Sequence, residues 1–251
     1  MPISRTPSTL RAILDKAQAR LNNAALKARE TLKDAAPVPS PCRKRFDPKV
    51  AEMLKLPPEN VFRHLDRLAI PSVAYVAGAG PLLLDELDMI PRNAWVIACN
   101  RAIMAPFPFK LWMVFDINAP KYAWFKNPPP GDYERVYGNA LRKLYPGTMW
   151  FSSRRTESPF SVAPGGLQGG GTIVGCALQL LYWAGCQTVI MLGAPMSGRY
   201  HFDGTTACGY CGTWKQAHRC RSFVDQMVLG GMTTLALHAN AMNLPIFEVK
   251  P

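Results

Sequence analysis

The stretch that decides the fold reads SVAYVAGAGP over residues 72–81. An apolar run rich in valine ends in a Gly-x-Gly turn, which is typical of a buried strand that leads through a tight loop into a helix. The same patterns predict further strands at 94–99, 111–115, 148–151, 188–192 and 245–249, and helices at 172–183 and 214–243. This alternation predicts an α/β fold: a Rossmann-like, mainly parallel sheet with helices on both faces.

Two changes in composition divide the chain. Residues 1–36 are predicted to form an amphipathic helix with a narrow, alanine-rich apolar stripe. Residues 37–68 begin with three alternating prolines and a basic cluster, and we interpret them as a linker followed by a short helix. Residues 69–251 are predicted to form the Rossmann-like domain, with a Cys/His-rich insert at 199–221.

Composition limits the partners and the compartment. The formal net charge is +12, and the basic excess is concentrated in residues 1–68, which favours encounter with nucleic acid or another polyanion. No apolar run approaches the roughly 20 residues of a membrane-spanning helix, and the first residues lack the apolar core of a secretory signal. We therefore expect a cytoplasmic protein without a membrane span. Seven cysteines, an odd number, indicate reduced thiols or a metal site rather than a disulfide framework.

Four turn motifs follow predicted strands or open a helix. They are Gly78-Ala79-Gly80 after the first strand, Asn100 after the second, Gly171-Thr172 at a helix start and Gly193 after the strand at 188–192. Glycines in such places let backbone N–H groups approach a phosphate, and an amide such as that of Asn100 can bind a base or ribose. The alternatives are that the glycines serve turn geometry alone and that Asn100 caps a helix. The third glycine of the dinucleotide fingerprint is missing, which disfavours a dehydrogenase.

The order of these motifs over residues 72–249 resembles the bacterial sialyltransferases of the Campylobacter type. It is also similar to the related archaeal 6-hydroxymethylpterin pyrophosphokinases and flagellin-glycosylation proteins. The resemblance implies a nucleotide-sugar transferase whose donor is of the CMP or UDP type. Two positions depart from the sialyltransferase pattern: Ala79 replaces an asparagine in the turn, and Pro195 stands where the family has Asp.

The resemblance also implies which residues hold the nucleotide. These are the turn residues Gly78, Ala79 and Gly80, together with Asn100, Asp116, Asn118, Gly171, Thr172 and Gly193.

In the family, a late histidine before the next helix is the general base. The corresponding candidate here is His218, with His201 as the second choice and Asp203 as a further titratable group nearby. A neutral imidazole has a pKa suited to removing the proton of an acceptor hydroxyl.

A cluster of metal-ligand residues falls in the same region. Cys208, Cys211, His218 and Cys220 supply four ligands that tetrahedral Zn²⁺ prefers, within 208–220. We therefore predict a structural zinc site, with a redox pair or unrelated loop cysteines as alternatives. If His218 binds zinc, His201 becomes the candidate base.

The sequence favours an inverting glycosyltransferase whose acceptor could be nucleic acid, and it allows an oligomer. A pterin-type pyrophosphokinase is an alternative, although it needs carboxylates for Mg²⁺ and the region offers few beyond Asp116 and Asp203. A second alternative is a non-catalytic nucleic-acid-binding or assembly protein built on a degenerate transferase scaffold.

Overall fold

The computed structural model describes residues 46–153, 166–167, 172–195, 201–205, 214–238, 240 and 242–247. These residues belong to the second of the two units into which the chain divides, Ser40–Pro251. The predicted N-terminal helix, the three prolines and the basic cluster, Gly171, Cys208 and Cys211 lie outside the described residues.

Within the described residues, eight strands form one sheet in the order β6-β5-β4-β3-β2-β1-β7-β8, and all neighbouring strands run parallel. The strands are β1 Val73–Ala77, β2 Val96–Cys99, β3 Leu111–Val114, β4 Glu134–Gly138, β5 Met149–Ser153, β6 Gly166–Leu167, β7 Thr188–Leu192 and β8 Thr233–Ala236. The α/β, Rossmann-like fold is thereby confirmed.

The described α-helices are α1 Pro48–Met53, α2 Leu83–Asp88, α3 Ala123–Lys126, α4 Asn139–Arg142, α5 Ile173–Trp183 and α6 Trp214–Leu229. Short 3₁₀ turns lie at Val61–Arg63, Asn100–Met104 and Ala119–Lys121. No helix in these ranges is long and apolar enough to cross a bilayer.

Both faces of the sheet are covered, which explains why its central strands are continuous apolar runs. On one face, alternate strand residues such as Val76 and Ile97 share a hydrophobic core with α5 and α6. On the other face, Trp112 of β3 lies in an aromatic cluster with Phe125 and Tyr137, at ring-centroid distances of 5.4 and 5.8 Å. Helix α5 is buried from Ile173 to Tyr182, because it lies between the sheet and α6.

The segment before β1 belongs to the same core. Phe46, Val61 and Phe62 are buried in it, and the Phe46 N–H donates to the carbonyl of Trp183 at the end of α5. Asn60 pairs with Trp150 in an isolated parallel bridge beside β5. The described core therefore includes Phe46, Val61 and Phe62, which precede the predicted domain boundary at 69.

The predicted helix over 214–243 is wrong in its second half. Helix α6 ends at Leu229, and Gly231 adopts φ +89°, a left-handed conformation that ends the helix. The residues that follow form β8, because Thr233–Ala236 pair with β7 in register. Of the strand predicted at 245–249, only a single bridge between Ile246 and Ala236 is described.

Candidate functional site

The strand order reverses between β1 and β7. From β1 the chain adds β2 to β6 on one side, and it then returns through α5 to place β7 and β8 on the other. In open α/β sheets, ligands bind in the crevice beyond the carboxyl ends of the strands at such a reversal. The turns that follow Ala77 and Leu192 meet at this point, and the end of β2 at Cys99 is adjacent.

The two turns at the crevice are hydrogen-bonded to each other. The Gly78 N–H donates to the Leu192 carbonyl at 2.8 Å, and the Gly80 N–H donates to the Gly193 carbonyl at 2.6 Å. These two N–H groups are thus occupied within the protein and are not available to a ligand phosphate. Nucleotide binding by Gly78, Ala79 and Gly80 stays a prediction.

The glycines at this junction make room for the two backbones. A Cβ on Gly78 would lie 2.7 Å from the Gly193 oxygen, and a Cβ on Gly80 would lie 2.6 Å from both that oxygen and Pro195 Cδ. Gly193 itself has φ +53°, which favours glycine. The three glycines therefore allow the two turns to pack closely. This is the role in turn geometry that the sequence analysis gave as the alternative to phosphate binding.

Asn100 follows β2 directly and has an unusual environment. Its φ of +51° is left-handed, and its carbonyl accepts a 2.8 Å hydrogen bond from Trp112 Nε1, which fixes the backbone. Its side-chain Oδ1 is buried and has no hydrogen-bond partner among the described residues. The 3₁₀ turn that starts here has Cys99 as its N-cap and no side-chain cap, so the Asn100 amide is not a helix cap.

An ion pair ties the end of β2 to the segment 201–205. Arg101 Nε lies 2.6 Å from Asp203 Oδ2, and each side chain is about a quarter exposed, at 26% and 28%. Desolvation acts to raise the pKa of Asp203, but hydrogen bonds from Thr205 and Arg101 outweigh it and hold that pKa below its ordinary value. Asp203 is therefore an anionic structural partner of Arg101.

His201 lies against the Gly-x-Gly turn. Its Nδ1 is 3.2 Å from the carbonyl oxygen of Ala79, and the N–H of Phe202 donates to the same oxygen at 3.1 Å. A carbonyl can only accept, so Nδ1 carries the proton and the lone pair of the neutral ring is on Nε2. The structure thus brings His201, Ala79, Asp203 and Arg101 together at the crevice.

His218 and Cys220 lie on α6 but do not share a face. His218 is exposed, whereas Cys220 is 1% exposed in the core, and positions two apart on a helix differ by about 200°. Burial raises the pKa of Cys220, and the hydrogen bond with Thr172 opposes this. The net result is a pKa of about 11. In the described ranges, no three His, Cys, Asp or Glu residues form a group that could hold a metal ion. Because Cys208 and Cys211 lie outside those ranges, the zinc site stays a prediction.

Three other predicted residues are engaged in local structure. Thr172 caps α5 by accepting the Gly175 N–H at 3.0 Å, and its hydroxyl lies 3.1 Å from Cys220 Sγ. Asp116 accepts the N–H of exposed Asn118 at 2.9 Å, which closes a turn after β3. This turn lies two strands away from the reversal, on the far side of β2.

A buried carboxylate at the crevice was missed by the sequence analysis. Glu86 of α2 is 4% exposed and accepts the Gly193 N–H on Oε2, while Oε1 lies 2.6 Å from His238 Nδ1. The available signal was its position: Glu86 lies with Leu83 and Leu87 on the buried side of the helix, where a charge needs a partner.

Two concave regions lie at opposite edges of the sheet. A small cavity at the carboxyl edge is bordered by Glu86, His238, Ala194 and Pro195. A wider cleft of about 500 Å³ lies at the amino ends of β2 to β4. The wider cleft is open and crossed by the half-exposed ion pair Arg67–Glu134, with both charges satisfied. Size alone favours the cleft as the ligand site. The strand reversal favours the carboxyl edge, as does the Asn100 oxygen, which has no partner among the described residues.

No family model, curated protein or solved structure matches the chain. A function is therefore inferred from the fold and from the groups gathered at the crevice.

Proposed function

We propose that the chain binds a nucleotide-activated sugar at the carboxyl edge of β1, β2 and β7 and transfers the sugar to an acceptor hydroxyl. The observation that carries the proposal is the Asn100 side chain. Its Oδ1 is a buried acceptor beside the strand reversal and has no partner in the part of the chain that the structure describes, and an unsatisfied buried polar group costs about 1–3 kcal/mol. A base amino group or a ribose hydroxyl would supply the missing donor.

The chemistry of the neighbouring groups supports transfer by inversion. The acceptor oxygen would attack the anomeric carbon, its proton would pass to a histidine, and the electron pair of the broken C–O bond would leave with the nucleotide phosphate. His201, which was named from the sequence as a candidate base, contacts the Gly-x-Gly turn. The phosphate would be bound by side chains, because the Gly78 and Gly80 N–H groups are already used.

The carboxylates at this edge fit a pyrophosphokinase less well. Asp203 is held by Thr205 and Arg101, and Asp116 accepts the N–H of its own turn. Mg²⁺ held by these groups would have to compete with both sets of contacts. The described residues thus favour sugar transfer over metal-assisted phosphoryl transfer.

The first experiment measures nucleotide binding through thermal unfolding, with CMP, UDP, GDP and ATP as separate probes. A nucleotide at 100 times its Kd stabilises the folded state by about 2.7 kcal/mol. For a domain of this size, that corresponds to a rise in Tm of roughly 5–11 °C. We expect CMP or UDP to give the rise.

The matched variants are Asn100→Gly and Asn93→Gly. Glycine accepts the left-handed φ of Asn100, so the first variant removes the amide without adding backbone strain. Asn93 is exposed in the turn before β2, at the opposite edge of the sheet. We expect the nucleotide-induced rise to disappear in Asn100→Gly and to persist in Asn93→Gly.

Two results would contradict the proposal. One is a wild-type Tm that none of the four nucleotides raises, and the other is an undiminished rise in Asn100→Gly. If ATP with Mg²⁺ alone raised the Tm, the pyrophosphokinase would replace the transferase. For a donor that binds, release of free nucleotide from the corresponding nucleotide sugar then measures turnover.

A further inference from the structure

Glu86 and His238 form a carboxylate–imidazole pair at the crevice. The side chain of Glu86 is 5% exposed and that of His238 is 43% exposed, so the carboxylate is buried and the ring reaches the surface. The two residues are 152 positions apart in the chain, on α2 and just beyond β8. This arrangement orients one edge of the imidazole and leaves the other accessible.

The hydrogen bonds determine which ring nitrogen carries the proton. Both carboxylate oxygens of Glu86 accept: Oε2 from the Gly193 N–H and Oε1 from His238 Nδ1. In the neutral ring the proton is therefore on Nδ1, and the lone pair is on Nε2, the nitrogen that a proton-accepting role needs.

The segment that carries His238 is itself held in place. The Asn240 side chain donates to the His238 carbonyl at 3.2 Å and accepts the N–H groups of Met242 and Leu244 at 3.1 and 3.2 Å. His238 also borders the small cavity with Pro195, which lies against the Gly80 turn. The ring thus lies beside the strand reversal, and hydrogen bonds join His238 to described residues that follow it.

We propose that His238 is the general base of this site and that Glu86 is its positioning residue; this rests on the proposed function above. Nε2 of His238 takes the proton of the acceptor hydroxyl while the acceptor oxygen bonds to the anomeric carbon. The bond from that carbon to the nucleotide phosphate breaks, and its electron pair leaves with the phosphate. The carboxylate of Glu86 stabilises the imidazolium that forms.

The surroundings of His201 and His238 separate their roles. His201 faces a neutral carbonyl at 3.2 Å, whereas His238 faces a buried carboxylate at 2.6 Å. A carboxylate favours the protonated product of base catalysis more than a carbonyl does. His201 is thereby left as a group that contacts the Gly-x-Gly turn.

Glu86→Gln tests the positioning role independently of any substrate. The Gly193 N–H still needs an acceptor, so the amide oxygen must face it and the amide NH₂ must face His238 Nδ1. His238 is then forced into the tautomer with its proton on Nε2. Long-range ¹H–¹⁵N spectra at neutral pH should show the Nδ1–H tautomer in the wild type and the Nε2–H tautomer in Glu86→Gln.

Turnover tests the catalytic role, with the nucleotide sugar whose nucleotide raises the Tm as the probe. We expect His238→Gln and Glu86→Gln to lose about 10²- to 10⁴-fold in turnover while the nucleotide-induced rise in Tm is kept. The matched control is His64→Gln, because His64 pairs with the Pro58 carbonyl in the segment before β1.

The outcomes separate this inference from the proposed function. If no nucleotide raises the Tm of the wild type, the proposed function fails and the base role fails with it. If the nucleotide binds but His238→Gln keeps wild-type turnover, only the role of His238 is overturned. An unchanged tautomer in Glu86→Gln would overturn the positioning role of Glu86, whatever the turnover.

Discussion

Gly193→Ala tests whether the crevice depends on two backbones in close approach. A Cβ on Gly193 would lie 2.5 Å from the Gly78 oxygen and 2.8 Å from Leu83 Cβ. Backbone strain at φ +53° costs roughly 1–2 kcal/mol for an L-residue, and crowding in a packed region adds roughly 1–3 kcal/mol. We therefore expect a loss of roughly 2–5 kcal/mol in the free energy of unfolding.

Gly147→Ala is the matched control, because its φ of +83° is also left-handed but no atom lies within 4 Å of the added Cβ. It should lose only the backbone term, roughly 1–2 kcal/mol. The difference of roughly 1–3 kcal/mol corresponds to a Tm that is roughly 2–12 °C lower in Gly193→Ala than in Gly147→Ala. Thermal unfolding by circular dichroism measures it. Equal losses in the two variants would refute the role assigned to close packing of the turns.

Two further predictions concern Asp203 and the cysteines. Since the folded pKa of Asp203 lies below its ordinary value of 3.8, its ion pair stabilises the fold above about pH 4, and the effect is lost as the pH falls further. In urea unfolding at pH 7, Asp203→Asn should be about 1 kcal/mol less stable than the exposed-site control Asp88→Asn. This difference in the free energy of unfolding should be smaller at pH 3. A difference that does not change with pH would contradict the prediction. For the predicted zinc, metal analysis should find about one equivalent in the wild type and less in Cys211→Ser. Because Cys220 is buried against Thr172, the zinc content of Cys220→Ser should equal that of the wild type. If Cys220→Ser loses as much zinc as Cys211→Ser, Cys220 is a ligand.

Two strands that are buried over their whole length were predicted well. Thr188–Leu192 was predicted with both of its ends, and Leu111–Val114 differs by one residue, because burial on both faces requires an uninterrupted apolar run. β4 was missed, since Glu134 and Arg135 are exposed at its start and obscure the pattern. β8 was assigned to a helix because Thr233–Ala236 show no alternation, and their pairing with β7 decides their conformation.

The candidate site was predicted less completely, because part of it depends on contacts between residues that are distant in sequence. The turn at Gly78–Gly80 and the polar end of β2 at Asn100 could be identified, because a glycine or an asparagine at a strand end is a local signal. Whether the N–H of Gly80 is available to a ligand depends on Gly193, which is distant in sequence. The pair of Glu86 and His238 has no local signal beyond a charge on an apolar helix face.

By itself, the sequence determined the class of fold and the positions where β1, β2 and β7 end in polar or glycine-rich turns, because both follow from local periodicity and turn chemistry. Only the tertiary structure decided that β7 returns to the far side of β1 and so creates the strand reversal. It also decided that the carboxylate of Glu86 meets the ring of His238. Both are contacts between segments far apart in the chain, and they depend on how the core closes rather than on any pattern within one segment.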